Sequence, residues 1–249
     1  MESPHGAAVA AEDLGLEGPR GRVFRNVTFS AEPGALVAIE GPSGSGRTCL
    51  LLALTGRMRT TGGHVRTGGL RLPKQAAAVR GIAALGPVPG VSELDPAFTV
   101  AEHLNERALL QGRYGASLRT LLRPRAERRA AAGARIDKAL EAAGLDLATL
   151  PKSGRTSVRD LERLEALRLS VALALIGEPR LLAVDDTDLK LSDAERDRAW
   201  ALLRSVADAG TTVLAVCSEA PEDTLVVRTA PATTTDEETA DAFAEAGRA

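Results

Sequence analysis

The apolar positions of this chain fall into two textures. Short unbroken runs, at 35–39, 181–184 and 212–216, lack a polar face and suit strands buried on both sides. Elsewhere apolar residues return at helical spacing, as at Val100, Leu104, Ala108 and Leu109, and again at Leu161, Leu164, Val171 and Leu175. Gly18-Pro19-Arg20-Gly21, Ala31-Glu32-Pro33-Gly34 and Gly177-Glu178-Pro179 read as turns and stops between them.

Taken in order, the pattern predicts a frayed start over 1–11, a short edge strand at 14–17 and a strand at 23–30. The 35–39 strand leads into a leucine-rich helix after Thr48. Two Gly-Gly pairs within 60–69 frame His64-Val65-Arg66 as a hairpin, and 82–85 is a short apolar segment. Helices follow from the Thr99-x-x-Glu102 capping box, over 125–143 (closed by Gly144) and over 158–176. The strand at 181–184, a helix over 193–209 with Ser192 as its cap, the strand at 212–216 and a last strand at 224–228 complete the alternation. Strand-helix-strand order implies parallel pairing and an α/β class. A single domain over 12–228, with a helical insertion at about 99–168, is expected between disordered tails at 1–11 and 229–249.

Candidate chemistry concentrates at the turn after the 35–39 strand. Gly41, Pro42, Ser43, Gly44, Ser45, Gly46, Arg47 and Thr48 fit G-x-x-x-x-G-K-[ST] everywhere but Arg47. Glycines let the backbone turn tightly and aim its N–H groups into a concavity, and the following helix adds its positive dipole end, so the stretch suits a phosphate chain. A ligand-free glycine turn is the plainer alternative; three glycines between strand and helix favour phosphate. Thr48 would place a hydroxyl on Mg²⁺. Arg47 is not a neutral swap, because a planar fork of donors replaces a compact ammonium, and it is expected to weaken binding and catalysis. The chain holds only Lys74, Lys138, Lys152 and Lys190 among 31 basic residues, so arginine is its general preference.

The 181–184 strand ends in Asp185-Asp186. Mg²⁺ prefers a few carboxylate and hydroxyl contacts completed by water and phosphate, so Asp185 is the expected metal ligand beside Thr48. Asp186 is expected to face the attacking water.

Composition removes other classes. A net charge of -2 and a pI near 6.0 give no electrostatic case for nucleic acid, and 2% aromatics give few stacking platforms. The arginine cluster at 123–129 reads as a solvated helix face. The longest apolar runs, 49–54 and 171–176, are far below the roughly 18 residues of a membrane span, and no signal-peptide pattern opens the chain, so a soluble intracellular protein is expected. Cys49 and Cys217 have no metal or redox spacing and read as buried thiols; His5, His64 and His103 are scattered.

From 23 to 218 the order and spacing resemble the nucleotide-binding subunit of an ATP-binding cassette (ABC) transporter. The stretch VFRNVTFSAEPGALVAIEGPSGSGRT is similar to the family's opening strands and Walker A loop. Leu85-Gly86-Pro87-Val88-Pro89 and Phe98-Thr99-Val100-Ala101-Glu102-His103-Leu104 are similar to its Q-loop region and the start of its helical subdomain. The interval from Leu161 to Asp185 matches that from signature to Walker B. The resemblance implies a P-loop NTPase with a RecA-like parallel sheet core, an N-terminal antiparallel β portion and an inserted helical subdomain. It also implies ATP and Mg²⁺ as cofactors, a transmembrane permease partner, homo- or heterodimerisation with another cassette, and a cytoplasmic position at the inner face of the membrane.

Departures accompany the resemblance. Gly90 stands at the Q-loop glutamine, Ser218 at the switch histidine and Asp186 at the catalytic glutamate, while Leu161-Glu162-Arg163-Leu164-Glu165 replaces the signature. No aromatic residue lies within 16–22 to stack on adenine. Phosphate binding is therefore expected to survive better than turnover, with weak or partner-dependent hydrolysis. The alternative is a non-hydrolysing regulatory or scaffolding subunit that pairs with a complete cassette. A kinase or GTPase is the weaker reading, since neither an acceptor site nor a guanine motif is present.

Overall fold

A computed structural model of the chain describes residues 5–19, 21–114 and 124–230. Among these, nine strands form two sheets. Strands β1 (Val9–Gly18), β2 (Gly21–Ala31), β4 (Gly62–Thr67) and β5 (Leu70–Leu72) make an antiparallel sheet in the order β2-β1-β4-β5. Strands β3 (Leu36–Glu40), β6 (Ala83–Leu85), β7 (Leu181–Val184), β8 (Thr212–Cys217) and β9 (Leu225–Arg228) make a parallel sheet in the order β6-β7-β8-β3-β9.

Successive side chains of the parallel strands enter two different cores, as the strand period of two requires. Val37, Ile39, Leu214 and Val216 pack with β1, β2 and helix α1 (Arg47–Leu54). Ala38, Val213, Ala215 and Cys217 face the opposite way, towards helices α5 (Arg163–Leu175) and α6 (Asp193–Asp208). Both faces are covered, which is why these strands read as continuous apolar runs. Each fully buried leucine, such as Leu169 or Leu182 at 0% exposure, contributes about 1.5–3 kcal/mol.

The helical insertion carries α3 (Val100–Tyr114), α4 (Arg125–Ala142), three short 3₁₀ turns and the start of α5. At the start of α3, the Thr99 N–H and hydroxyl donate to Glu102 Oε2 at 2.7 and 2.8 Å. Ser192 makes the same contacts with Glu195 at the start of α6. Gly144 and Gly210 stop α4 and α6 in the left-handed region, at φ 61° and 100°.

Several expectations need correction. Residues 7–11 are not frayed: Ala7 and Val9 are fully buried, and β1 lies inside its sheet rather than at its edge. The cause lies far along the chain, where the Arg180 guanidinium donates to the carbonyls of His5 and Gly6 at 2.8 and 3.0 Å and the Ala7 N–H donates to the Arg180 carbonyl. Gly62-Gly63 opens β4, and only Gly68-Gly69 makes the hairpin turn. An unexpected short helix, α2 (Ala76–Ile82), precedes β6. The helix expected from 158 starts at Arg163, after a 3₁₀ turn at Val158–Asp160, because Glu165 folds back to accept the Glu162 N–H at 2.9 Å. Of the expected C-terminal tail, Thr229 is buried, and 231–249 lie outside the described residues. Cys217 is buried as expected, whereas Cys49 is only partly so. No helix among the described residues is long and apolar enough to cross a membrane.

Candidate phosphate-binding site

Four parallel strands end at one place. Gly41 follows β3, Asp185 follows β7, Ser218 follows β8 and Thr229 follows β9, so residues remote in sequence meet at the carboxyl edge of the sheet, where α/β folds bind ligands.

The glycine loop after β3 bends at Gly44 and Gly46, at φ 81° and 82°, and Ser45 N–H closes a turn onto the Pro42 carbonyl at 3.2 Å. Gly46 is required twice over: its conformation is left-handed, and a Cβ there would lie 2.7 Å from Val23 Cγ1. Helix α1 starts directly after it, with no acidic residue in its first turn, leaving its positive end for an anion.

Thr48 and Asp185 meet at this edge of the sheet. The Thr48 hydroxyl donates to Asp185 Oδ2 at 2.7 Å, and the Asp186 N–H donates to Asp185 Oδ1 at 2.9 Å. Asp185 is 2% exposed. Burial raises its carboxyl above the ordinary value, the neighbouring Asp186 charge adds to this, and the Thr48 hydrogen bond opposes it. A hydroxyl beside a buried carboxylate whose charge is costly is an oxygen donor pair that fits Mg²⁺, which would offset that cost. Among the described residues no group of three or more His, Cys, Asp or Glu is placed to hold a metal, so phosphate and water would have to complete its shell.

The other expected residues are placed around this pair. Arg47 is engaged by the protein itself: its guanidinium donates to the Cys217 carbonyl at the end of β8. Asp186 takes a left-handed backbone, φ 48°, and with Gly41, Ser43 and Arg47 it lines a cavity of about 740 Å³. Asp188 and Ser218 complete that wall, and both the N–H and the hydroxyl of Ser218 donate to Asp188 Oδ2. Asp188 and Thr229 escaped the sequence reading. Asp188 carries no motif signal, and Thr229 fell within the expected tail. Gly90 is an exposed turn residue at φ 71° whose N–H donates to Glu93 Oε1 at 2.8 Å. A second cleft, about 420 Å³, lies beside Asp185 and includes Ser92, Arg163 and Thr187.

Residues 24–188 match the sequence model of the ABC transporter family. The chain belongs to that family. This cassette is 33% identical over 193 residues to the Nod factor export ATP-binding protein I of Cupriavidus metallidurans, covering 77% of the present chain and 56% of that protein. It thus spans a little over half the length of the Nod factor export proteins it matches, 56% in the relatives from C. metallidurans and Paraburkholderia xenovorans. Its fold is that of solved cassettes. The dimeric structure of a bacterial ABC transporter cassette superposes with a TM-score of 0.68 at 18% identity, covering 89% of this chain and 94% of that one. A bacterial Atm1-family ABC exporter with ATP bound gives 0.65 at 23%, covering 98% of this chain and 41% of that one. The cassette therefore has the P-loop NTPase fold, with a parallel core, an antiparallel β portion and an inserted helical part.

Proposed function

We propose that the cassette is the ATP-binding subunit of an ABC-type membrane transport complex, binding Mg-ATP with weak or partner-dependent hydrolysis. The observation that carries this reading is the Thr48–Asp185 hydrogen bond directly beneath a glycine loop at a helix N-terminus. In this role main-chain N–H groups of the 41–48 loop, which Pro42 lacks, would cradle phosphates, Arg47 would leave the Cys217 carbonyl to contact their terminal oxygens, Thr48 and Asp185 would hold Mg²⁺, and Asp186 would stand on the water side. The metal would supply charge neutralisation between phosphate oxygens. Attenuated hydrolysis is supported by Ser218, whose hydroxyl is committed to Asp188, and by Gly90, which has no side chain to offer. Lost orienting groups of this kind cost roughly a hundred- to thousandfold in rate.

The partner in this reading is a transmembrane permease, with a second cassette alongside. Val91 and Leu110 are exposed and line one cleft beside α3, and such an apolar edge suits a docking face. The relatives named as Nod factor export ATP-binding proteins support the transport reading, and a permease partner would hold the cassette at the inner face of a membrane.

Calorimetry with Mg-ATP tests the reading. Saturable binding, weakened at least about tenfold by Thr48→Ala and by Asp185→Asn, is expected; no heat at millimolar ATP would overturn it. A second reading, a non-hydrolysing regulatory subunit, is favoured by the Asp188–Ser218 contact and is distinguished by turnover of the assembly with permease and a complete cassette that Asp186→Asn in this chain leaves unchanged.

A further inference from the structure

The proposed phosphate loop has a single buried side chain. Between Gly41 and Arg47 only Ser45 is fully buried, at 0% exposure, whereas Pro42, Ser43 and Gly44 are exposed. Ser45 is therefore the buried anchor of the loop's 41–46 turn. Its hydroxyl lies 2.6 Å from the hydroxyl of Thr229, 184 residues later and just past the end of β9. We propose that Thr229 is a positioning residue of the phosphate loop, acting through the Ser45 hydroxyl; its consequence for nucleotide rests on the reading above.

Three further observations place Thr229 as a fixed point. Its N–H donates to the Glu40 carbonyl at 2.9 Å, the bond that closes the parallel β3–β9 ladder at its last pair, Glu40–Arg228. The Glu40 carboxylate accepts from Arg228 Nε at 2.8 Å, pinning the same rung from its side chain. The Thr229 hydroxyl also lies 3.4 Å from the Glu40 carbonyl, so Ser45 can donate to Thr229 while Thr229 donates to Glu40 and both bonds are satisfied.

Gly41 supports the same conclusion. It does not adopt the left-handed conformation of Gly44 and Gly46, so turning does not demand a glycine there. Contact does: an added Cβ would sit 2.5 Å from Thr229 Oγ1, 2.7 Å from Ser45 Oγ and 2.7 Å from the Thr229 carbonyl. The first glycine of the loop is thus the space through which β9 reaches Ser45. Two buried hydroxyls sharing one hydrogen bond make a strong constraint, because deleting either leaves the other with an unmet donor or acceptor.

The test uses the full chain and the variants Thr229→Val, Thr229→Ser and Ser45→Ala. Amide hydrogen exchange is followed without nucleotide, and Mg-ATP affinity is measured by calorimetry. In Thr229→Val and Ser45→Ala, amides of 43–47 are expected to exchange about tenfold faster and ATP to bind about tenfold more weakly, with β7 and α5 unaffected. The double variant should be no worse than either single one. Thr229→Ser should restore both values, which a purely steric role of the threonine methyl would not allow. Unchanged loop exchange in Thr229→Val, or acceleration spread evenly along the chain, would overturn the proposal. A wild-type chain that shows the exchange response yet binds no ATP would leave the clamp standing and sink the nucleotide reading instead.

Discussion

The Arg47 guanidinium, at the start of α1, donates to the main-chain carbonyl of Cys217, the last residue of β8. This bond joins the phosphate loop to the strand end that carries Ser218. It also draws the side chain towards protein rather than towards a ligand.

Replacing that fork by an ammonium should release it. A lysine at 47 is a flexible point charge with no fixed planar geometry to satisfy at Cys217. Arg47→Lys is expected to tighten Mg-ATP binding by about tenfold, read as a calorimetric Kd. An unchanged or weaker Kd would show that the arginine is adapted to its phosphates.

Asp185 ties stability to pH. Its carboxyl is raised above its ordinary value of 3.8 by burial first and by Asp186 second, so ionisation costs the folded state more than the unfolded one. Stability is then greatest when this group is protonated, and it falls as pH rises through the interval between the unfolded and folded values. Asp185→Asn is expected to raise the Tm of the nucleotide-free protein at pH 7 by about 2–4 °C and to lose that advantage as pH falls towards 3.8. Thermal melts across pH check this; an equal effect at every pH would exclude the titration argument.

Gly46 combines a left-handed backbone with a crowded Cβ position. Gly46→Ala adds a left-handed non-glycine residue and a Cβ 2.7 Å from Val23 Cγ1 and 2.9 Å from the Val23 carbonyl. The expected loss is about 2–4 kcal/mol, read as a lower urea midpoint at constant slope. Gly62→Ala is the control, since nothing lies within 4 Å of its Cβ position and its backbone is not left-handed. It should change stability by less than about 0.5 kcal/mol.

Cys217 should be chemically silent. Burial, with the charges of Asp188 and Glu40, pushes its thiol up to about 12, and the side chain is wholly enclosed. The native protein is expected to resist iodoacetamide at Cys217 at pH 8 and to become labelled there only on unfolding. Mass spectrometry distinguishes it from Cys49, which is partly accessible and is the site expected to react first.

What the sequence determined alone was everything encoded by local spacing. Strands β3, β7 and β8 were legible because burial on both faces leaves apolar runs at 36–39, 181–184 and 213–217, with polar residues only at the ends, Glu40 and Thr212. The loop from Gly41 to Thr48 and the caps at Thr99 and Ser192 were legible because turns and capping boxes are contacts over three to seven residues. The pairing of Thr48 with Asp185, 137 residues apart, was reachable only through the chemistry Mg²⁺ asks of an acidic strand end beside a phosphate loop, and not through spacing. Tertiary structure alone decided the rest. Arg180 reaches His5 across 175 residues, Thr229 reaches Ser45 across 184, and Asp188 claims Ser218 across 30. No periodicity records such contacts, because they depend on strand order: β7, β8, β3 and β9 must lie side by side before their ends can meet. The same logic explains the misplaced start of the chain. Small residues at 6–11 look frayed by composition, yet Arg180 holds the main chain of 5–7, and pairing with β2 and β4 on either side holds 9–11.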